Sequence, residues 1–143
     1  MAIVADSGGI FALYDSRDRF HKAVRSALEQ TRDRIHLPAP LLGELGYLLD
    51  HWLGTSALLR FLADVDAGSF QIEAFLPEDL RRCQELLQRY ADLNLGLCDA
   101  AVAATAERLG IDRILTVDER HFRVIRTSAG GAFRLLPADR RKQ

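Results

Sequence analysis

Long apolar runs, cysteines and lysines are scarce in this sequence. Of its 143 residues, two are cysteines (Cys83 and Cys98) and two are lysines (Lys22 and Lys142). The cysteines lack the CxxC spacing of a metal site and lie in apolar helical stretches, so we expect them to be reduced and buried. No stretch approaches the roughly 18 uninterrupted apolar residues of a membrane span. The start has neither a basic region nor a long apolar region, so we expect a cytoplasmic protein rather than a secreted one.

Several familiar catalytic motifs are also absent. The chain has no GxSxG elbow, P-loop, HExxH motif or Rossmann glycine fingerprint. Its four histidines, His21, His36, His51 and His121, show no metal-ligand spacing. His121 follows Asp118 closely and could contact a substrate, although structural support is the expected role.

Short apolar runs alternate with amphipathic stretches along the chain. The pattern predicts strands over 3–5, 35–37, 70–75, 113–117 and 133–136, and helices over 10–14, 18–34, 41–53, 55–67, 77–90 and 98–109. Such alternation predicts an α/β fold with a mostly parallel sheet covered on both faces. No linker or repeat interrupts it, so we expect one domain over residues 1–143.

Four acidic residues occupy unexpected positions. Asp6 and Asp118 each follow a predicted buried strand directly, where ligands bind in open α/β sheets, although either could simply cap a helix. Asp99 falls on the apolar side of its helix, where a carboxylate is costly unless it is paired or binds a metal. The alternative for Asp99 is an acid satisfied by backbone N–H groups at the helix start. Glu44 lies at the edge of the apolar stripe of its helix, a position where many acids are merely solvated.

A divalent cation would explain these four acids together. Carboxylates packed side by side repel one another and take up protons unless a cation neutralises them. Mg²⁺ and similar hard cations prefer oxygen ligands and can activate water for attack on a phosphate. If the acids converge, the residues therefore predict a metal site suited to phosphate chemistry.

Positive charge is concentrated at the carboxyl end. From Glu119 to Gln143 there are two acids, Glu119 and Asp139, against seven basic residues: Arg120, Arg123, Arg126, Arg134, Arg140, Arg141 and Lys142. This surplus could attract a phosphate backbone, or it could be a solvated tail with no specific role.

Four sequence strings occur in an order and spacing typical of one family. They are VADSG at 4–8, PLLGEL at 40–45, YADLNLGLCDAA at 90–101 and ILTVDERHF at 114–122. Together they resemble a PIN domain of the VapC toxin type across nearly the whole chain. The resemblance implies a three-layer α/β/α fold and a Mg²⁺- or Mn²⁺-dependent endoribonuclease that cleaves transfer RNA or a ribosomal RNA loop. It also implies a homodimer and a VapB-type antitoxin as partner.

The resemblance further assigns roles to individual residues. Asp6 and Asp99 would be the main metal ligands, and Glu44 and Asp118 would complete the acidic cluster. Supporting roles would fall to Ser7 and Thr116 through hydrogen bonds and to Asp92 in the loop before Asp99. Glu119 departs from the family pattern, which has a basic or small residue after the fourth acid, and it adds negative charge near the site.

Two other functions remain open at this stage. One is a metal-dependent phosphatase or receiver-like domain that uses Asp6, which would need a lysine at the end of a later strand. The other is a non-catalytic module of the same fold that binds a partner helix in a groove lined by Leu45, Trp52 and Phe61.

Overall fold

A computed structural model describes residues 2–140 of the chain. Within this range there are five strands: β1 (Ala2–Ala5), β2 (Arg34–Pro38), β3 (Gln71–Glu73), β4 (Arg113–Leu115) and β5 (Arg134–Leu136). Seven α-helices accompany them: α1 (Ser7–Tyr14), α2 (His21–Thr31), α3 (Leu41–Leu53), α4 (Thr55–Asp66), α5 (Pro77–Arg89), α6 (Leu97–Leu109) and α7 (Glu119–Phe122). A 3-10 turn at Ala91–Leu93 precedes α6.

The strands form one sheet in the order β3-β2-β1-β4-β5, and each neighbouring pair is parallel. The chain adds β2 and β3 on one side of β1 and then returns to add β4 and β5 on the other side. Between β1 and β4 the order of strands therefore reverses, and a crevice opens at the carboxyl ends of the strands at such a point. The predicted parallel sheet is confirmed, and this reversal lies at the edge where sheets of this kind commonly bind ligands.

Helices cover both faces of the sheet and give the three-layer α/β/α fold that the resemblance implies. Helix α6 packs on β1, β2 and β4 and is covered by α5, whereas α1 packs against α2 and α3, and α3 packs against α4. The central strands are apolar because they are covered on both sides: Ile3, Val4 and Ile114 are fully buried. The core therefore continues through the sheet and holds the carboxyl ends of β1 and β4 rigidly in place.

Helix α1 begins earlier than the predicted range of 10–14. Asp6 accepts a hydrogen bond from the Ser7 backbone and caps the helix, so Gly8 and Gly9 lie in its first turn rather than in a separate loop. A Cβ atom on Gly9 would lie 2.8 Å from the carbonyl oxygen of Leu115. The absence of a side chain at Gly9 therefore lets α1 approach β4 closely.

Other predicted boundaries shift by a few residues. Helix α2 begins at His21 rather than at Asp18, because the Asp18 carboxylate accepts a hydrogen bond from the Phe20 backbone in the preceding turn. Strand β4 ends at Leu115, so two residues separate it from Asp118, which does not follow the strand directly as predicted. The four-residue helix α7 was not predicted. Within residues 2–140, no helix is long and apolar enough to span a bilayer.

Candidate active site at the carboxyl ends of β1 and β4

The four predicted acids, here called the acid cluster (Asp6, Glu44, Asp99 and Asp118), come from four elements of the fold. Asp6 connects β1 to α1, Glu44 lies in the first turn of α3, Asp99 in the first turn of α6, and Asp118 caps α7. Hydrogen bonds and electrostatic interactions link these acids.

Thr116 joins the ends of the two central strands. Its hydroxyl donates to Asp6 Oδ2 at 2.9 Å and accepts from the Asp118 backbone N–H at 3.1 Å. The Asp6 backbone N–H also donates to the Leu115 carbonyl at 2.9 Å. Asp6 and Asp118 are therefore held in fixed relation, and the hydrogen bond expected of Thr116 is present.

Ser7 and Cys98 both contact Glu44. The Ser7 hydroxyl donates to Glu44 Oε1 at 3.0 Å, as the resemblance implies for Ser7. The Cys98 thiol also donates to Glu44, and burial, this hydrogen bond and the nearby charges of Glu44, Asp6 and Asp99 raise the pKa of Cys98 to about 12. Cys98 is free and only partly buried, not fully buried as predicted, whereas Cys83 is free and buried. The position of Cys98 directly before Asp99 is the sequence signal that could have placed this cysteine in the site.

Asp99 is paired with His121 rather than with backbone N–H groups. His121 Nδ1 lies 2.8 Å from Asp99 Oδ2 and 4.0 Å from Asp118 Oδ2. The side chain of Asp99 is 21% exposed. The prediction that Asp99 lies on one buried face was wrong in detail, because α6 is buried on all sides from Ala100 to Ala106 and Asp99 stands at its partly open end. His121 thus joins the site as a bridge between two acids.

Asp118 is the acid with the most positive surroundings. Its carboxylate accepts hydrogen bonds from the Arg120 backbone at 3.1 Å and from Arg120 Nε at 3.3 Å. Partial burial raises the pKa of Asp118, but Arg120 and the nearby His121 outweigh it and hold that pKa below its usual range. Asp118 therefore caps α7 and also belongs to the acid cluster, so its role as a helix cap does not exclude a role in binding a ligand.

Asp6 is the electrostatic centre of the cluster. It is 5% exposed. Burial and the charges of Asp99 and Glu44 raise its pKa to about 7, even though hydrogen bonds from Thr116 and Ser7 favour the ionised form. Burial is the largest cause of this shift, and the negative charges of Asp99 and Glu44 add to it.

The donor set fits a hard divalent cation. The cluster offers carboxylate oxygens, the ligands that Mg²⁺ and Mn²⁺ prefer, and a cation there would relieve the repulsion around Asp6. Among residues 2–140, no three Asp, Glu, His or Cys side chains already converge as a complete ligand set. Each carboxylate instead has a hydrogen-bonding partner of its own.

Basic residues near the carboxyl end are largely committed to contacts within the fold. Arg123 binds Glu119 and Asp139, and Arg126 donates to backbone carbonyl groups. Arg134 donates to the Asp139 carbonyl, and Arg140 donates to Ser26 Oγ. Arg141 and Lys142, which contributed to the predicted basic surplus, lie outside the described residues. In the described part, this positive charge therefore anchors the carboxyl-terminal segment.

Neither alternative function gains support from the geometry. A phosphatase-like site needs a lysine at a strand end, but Lys22 is exposed on α2, and Lys142 lies outside the described residues. The predicted binding groove is not formed, because Leu45 and Phe61 are core residues, whereas Trp52 is 64% exposed.

Two further residues are placed by the structure. Asp92 is exposed in the 3-10 turn before α6, and in the described range no hydrogen bond to its carboxylate supports the loop-holding role. Glu119, the residue that departs from the family pattern, accepts a hydrogen bond from Arg123 at 2.7 Å. Its added negative charge is therefore partly neutralised.

Comparisons with known proteins agree with this architecture. The chain is 27% identical over 135 residues to ribonuclease VapC26 of Mycobacterium tuberculosis, which covers 94% of this chain and all of the relative. VapC20 of the same organism, described as a toxin that cleaves the sarcin-ricin loop, superimposes with a TM-score of 0.77 at 19% identity, over 84% of this chain and 92% of that one.

A second solved structure is similar over most of its length. It is the DNA-bound VapBC complex of Salmonella typhimurium, with a TM-score of 0.71 at 14% identity, over 94% of this chain and 98% of that one. The family model described as PIN domain matches residues 3–126. That match spans both central strands and all four acids of the cluster, and this chain belongs to the PIN domain family.

Proposed function

We propose that this protein is a divalent-metal-dependent endoribonuclease that acts as the toxin of a VapBC toxin–antitoxin pair. The observation that carries the proposal is the meeting of four acids at the carboxyl ends of β1 and β4, where Thr116 joins Asp6 to the Asp118 backbone and where burial, Asp99 and Glu44 raise the pKa of Asp6. Strongly perturbed carboxyl groups are concentrated at functional sites, and a bound cation would relieve the repulsion in this cluster.

Asp6 and Asp99 are the residues that would hold Mg²⁺ or Mn²⁺, and Glu44 and Asp118 would complete the ligand set. When bound, such a cation lowers the pKa of a coordinated water and stabilises charge on the phosphate during in-line attack. Thr116 keeps Asp6 oriented by its hydrogen bond, so the carboxylate does not turn away from the cluster.

The substrate and partners that we propose follow from the relatives. VapC26 is named a ribonuclease, and VapC20 is described as cleaving the sarcin-ricin loop. We therefore propose a structured RNA, either transfer RNA or a ribosomal RNA loop, as substrate. The VapBC complex of Salmonella typhimurium supports a VapB-type antitoxin as partner, and we also propose a homodimer. The exposed apolar side chains Tyr47, Trp52 and Leu59 on α3 and α4 offer surface for such contacts.

RNA cleavage tests the proposal. Purified protein, free of antitoxin, is incubated with total RNA in Mg²⁺ or Mn²⁺, with and without chelator, and new 5′ ends are mapped. We expect cleavage at few positions, which chelator abolishes and which the Asp6→Asn and Asp99→Asn substitutions abolish as well.

A matched variant controls for a simple change of charge. Asp66 is exposed at the end of α4, so Asp66→Asn removes one negative charge outside the cluster and should leave cleavage unchanged. Unchanged cleavage by either cluster variant would refute the metal-carboxylate mechanism. A wild-type protein that cleaves no RNA in either metal would favour a binding module.

A further inference from the structure

His121 makes the contact that fixes Asp99. Its Nδ1 lies 2.8 Å from Asp99 Oδ2, and both side chains are largely shielded from water, at 16% and 21% exposure. The two residues come from α7 and α6, so the contact also spans the gap between these helices. Because both side chains are partly shielded from solvent, this hydrogen bond is stronger than the same bond at the surface.

The direction of this hydrogen bond follows from the acid. A carboxylate that binds a cation is ionised and only accepts hydrogen bonds, so in a metal-bound site Nδ1 of His121 would carry the proton in the contact with Asp99. The ring is thereby turned toward Asp99 Oδ2 and restrains rotation of that carboxylate.

The same arrangement recurs for the other acids of the cluster. Thr116 donates to Asp6, Ser7 donates to Glu44, and Arg120 donates to Asp118. Each carboxylate thus has a neighbouring donor that sets its orientation. Loss of a donor that orients a metal ligand typically weakens metal affinity by about 10- to 100-fold.

We infer that His121 is a positioning residue, which holds the Asp99 carboxylate in the orientation needed to bind the divalent cation. This inference rests on the proposed function and extends it to a residue outside the four acids. The role requires an N–H donor at the Nδ1 position and does not require the rest of the ring.

The test is Mn²⁺ binding, measured by isothermal titration calorimetry on chelator-stripped protein without RNA. The amide nitrogen of asparagine reaches about the position of Nδ1, whereas that of glutamine reaches about the position of Nε2. We therefore expect His121→Asn to keep near wild-type affinity, and His121→Gln and His121→Ala to weaken binding roughly 10- to 100-fold. If the alanine variant does not fold, the glutamine variant carries the comparison.

His36 supplies the matched control. It also pairs with a carboxylate through Nδ1, that of Glu73 at 2.5 Å, with 13% and 16% exposure, but on β2 and β3 rather than in the cluster. His36→Gln should bind Mn²⁺ like wild type. Wild-type affinity in His121→Gln, or equal losses in His121→Asn and His121→Gln, would overturn the inference.

The assay also separates this inference from the proposed function. A wild-type protein that binds Mn²⁺ and shows the expected order of variants, but cleaves no RNA, would refute the ribonuclease proposal alone. A wild-type protein that does not bind Mn²⁺ would refute both the inference and the metal-dependent mechanism.

Discussion

At the scale of single residues, the buried carboxylate of Asp6 lowers the stability of the fold, although the same carboxylate is a proposed metal ligand. Its carboxylate is buried beside Asp99 and Glu44, and its pKa is raised to about 7 from the usual 3.8. Between these two pH values the folded chain keeps a proton on Asp6 that the unfolded chain has released. The free energy of unfolding therefore falls as pH rises through this window.

The Asp6→Asn substitution should remove this fall in the free energy of unfolding with rising pH. In chelator, we expect the wild-type free energy of unfolding to fall between pH 5 and pH 8 by roughly 2–3 kcal/mol more than that of the variant. Asparagine can accept from the Ser7 backbone through Oδ1 and donate to the Thr116 hydroxyl through Nδ2, so the variant should fold. Urea unfolding at both pH values measures the difference. An equal fall in the free energy of unfolding of the two proteins would show that the pKa of Asp6 is not raised in the fold.

At the scale of elements, the sequence predicts helices and strands better than their ends. Apolar periodicity locates the core strands because Ile3, Val4 and Ile114 need cover on both faces. Apolar periodicity misses α7, because three of its four residues are polar: Glu119, Arg120 and His121. That helix forms because Asp118 caps it and Phe122 is buried.

The close packing of α1 on β4 gives a second prediction. A methyl group on Gly9 would meet the Leu115 backbone oxygen at 2.8 Å, so we expect Gly9→Ala to lower the free energy of unfolding by about 1–3 kcal/mol. Gly46 in the middle of α3 has no atom within 4 Å of its ideal Cβ position, so Gly46→Ala should be neutral or stabilise by up to about 1 kcal/mol. Chemical denaturation of both variants checks this, and equal effects would contradict the packing argument.

Asp118 allows capping and metal binding to be separated. Asparagine caps helices as well as aspartate does, so Asp118→Asn should keep wild-type stability, whereas Asp118→Ala should lose about 1 kcal/mol. Both variants lose the charge, so both should cleave RNA roughly tenfold more slowly or worse. Thermal unfolding and cleavage rates are measured on the same samples, and full activity of the asparagine variant would limit Asp118 to capping.

At the scale of the whole molecule, the site depends on topology more than on any local pattern. Strand-end positions predict Asp6 and, to within two residues, Asp118, because the carboxyl ends of parallel strands meet at one edge of the sheet. Glu44 had no comparable signal, since an exposed acid at a helix edge looks like any solvated one. His121 reaches Asp99 only because α6 and α7 meet in the fold, and such a contact between residues 22 positions apart cannot be predicted from periodicity.

The central claim is that acids distant in sequence form one divalent-cation site. Isothermal titration of Mn²⁺ into chelator-stripped wild type, Asp6→Asn, Asp99→Asn and the control Asp66→Asn tests it most directly. We predict saturable binding in wild type and control, and affinities roughly tenfold weaker or worse in each cluster variant. Equal Mn²⁺ affinity in all four proteins would contradict the account.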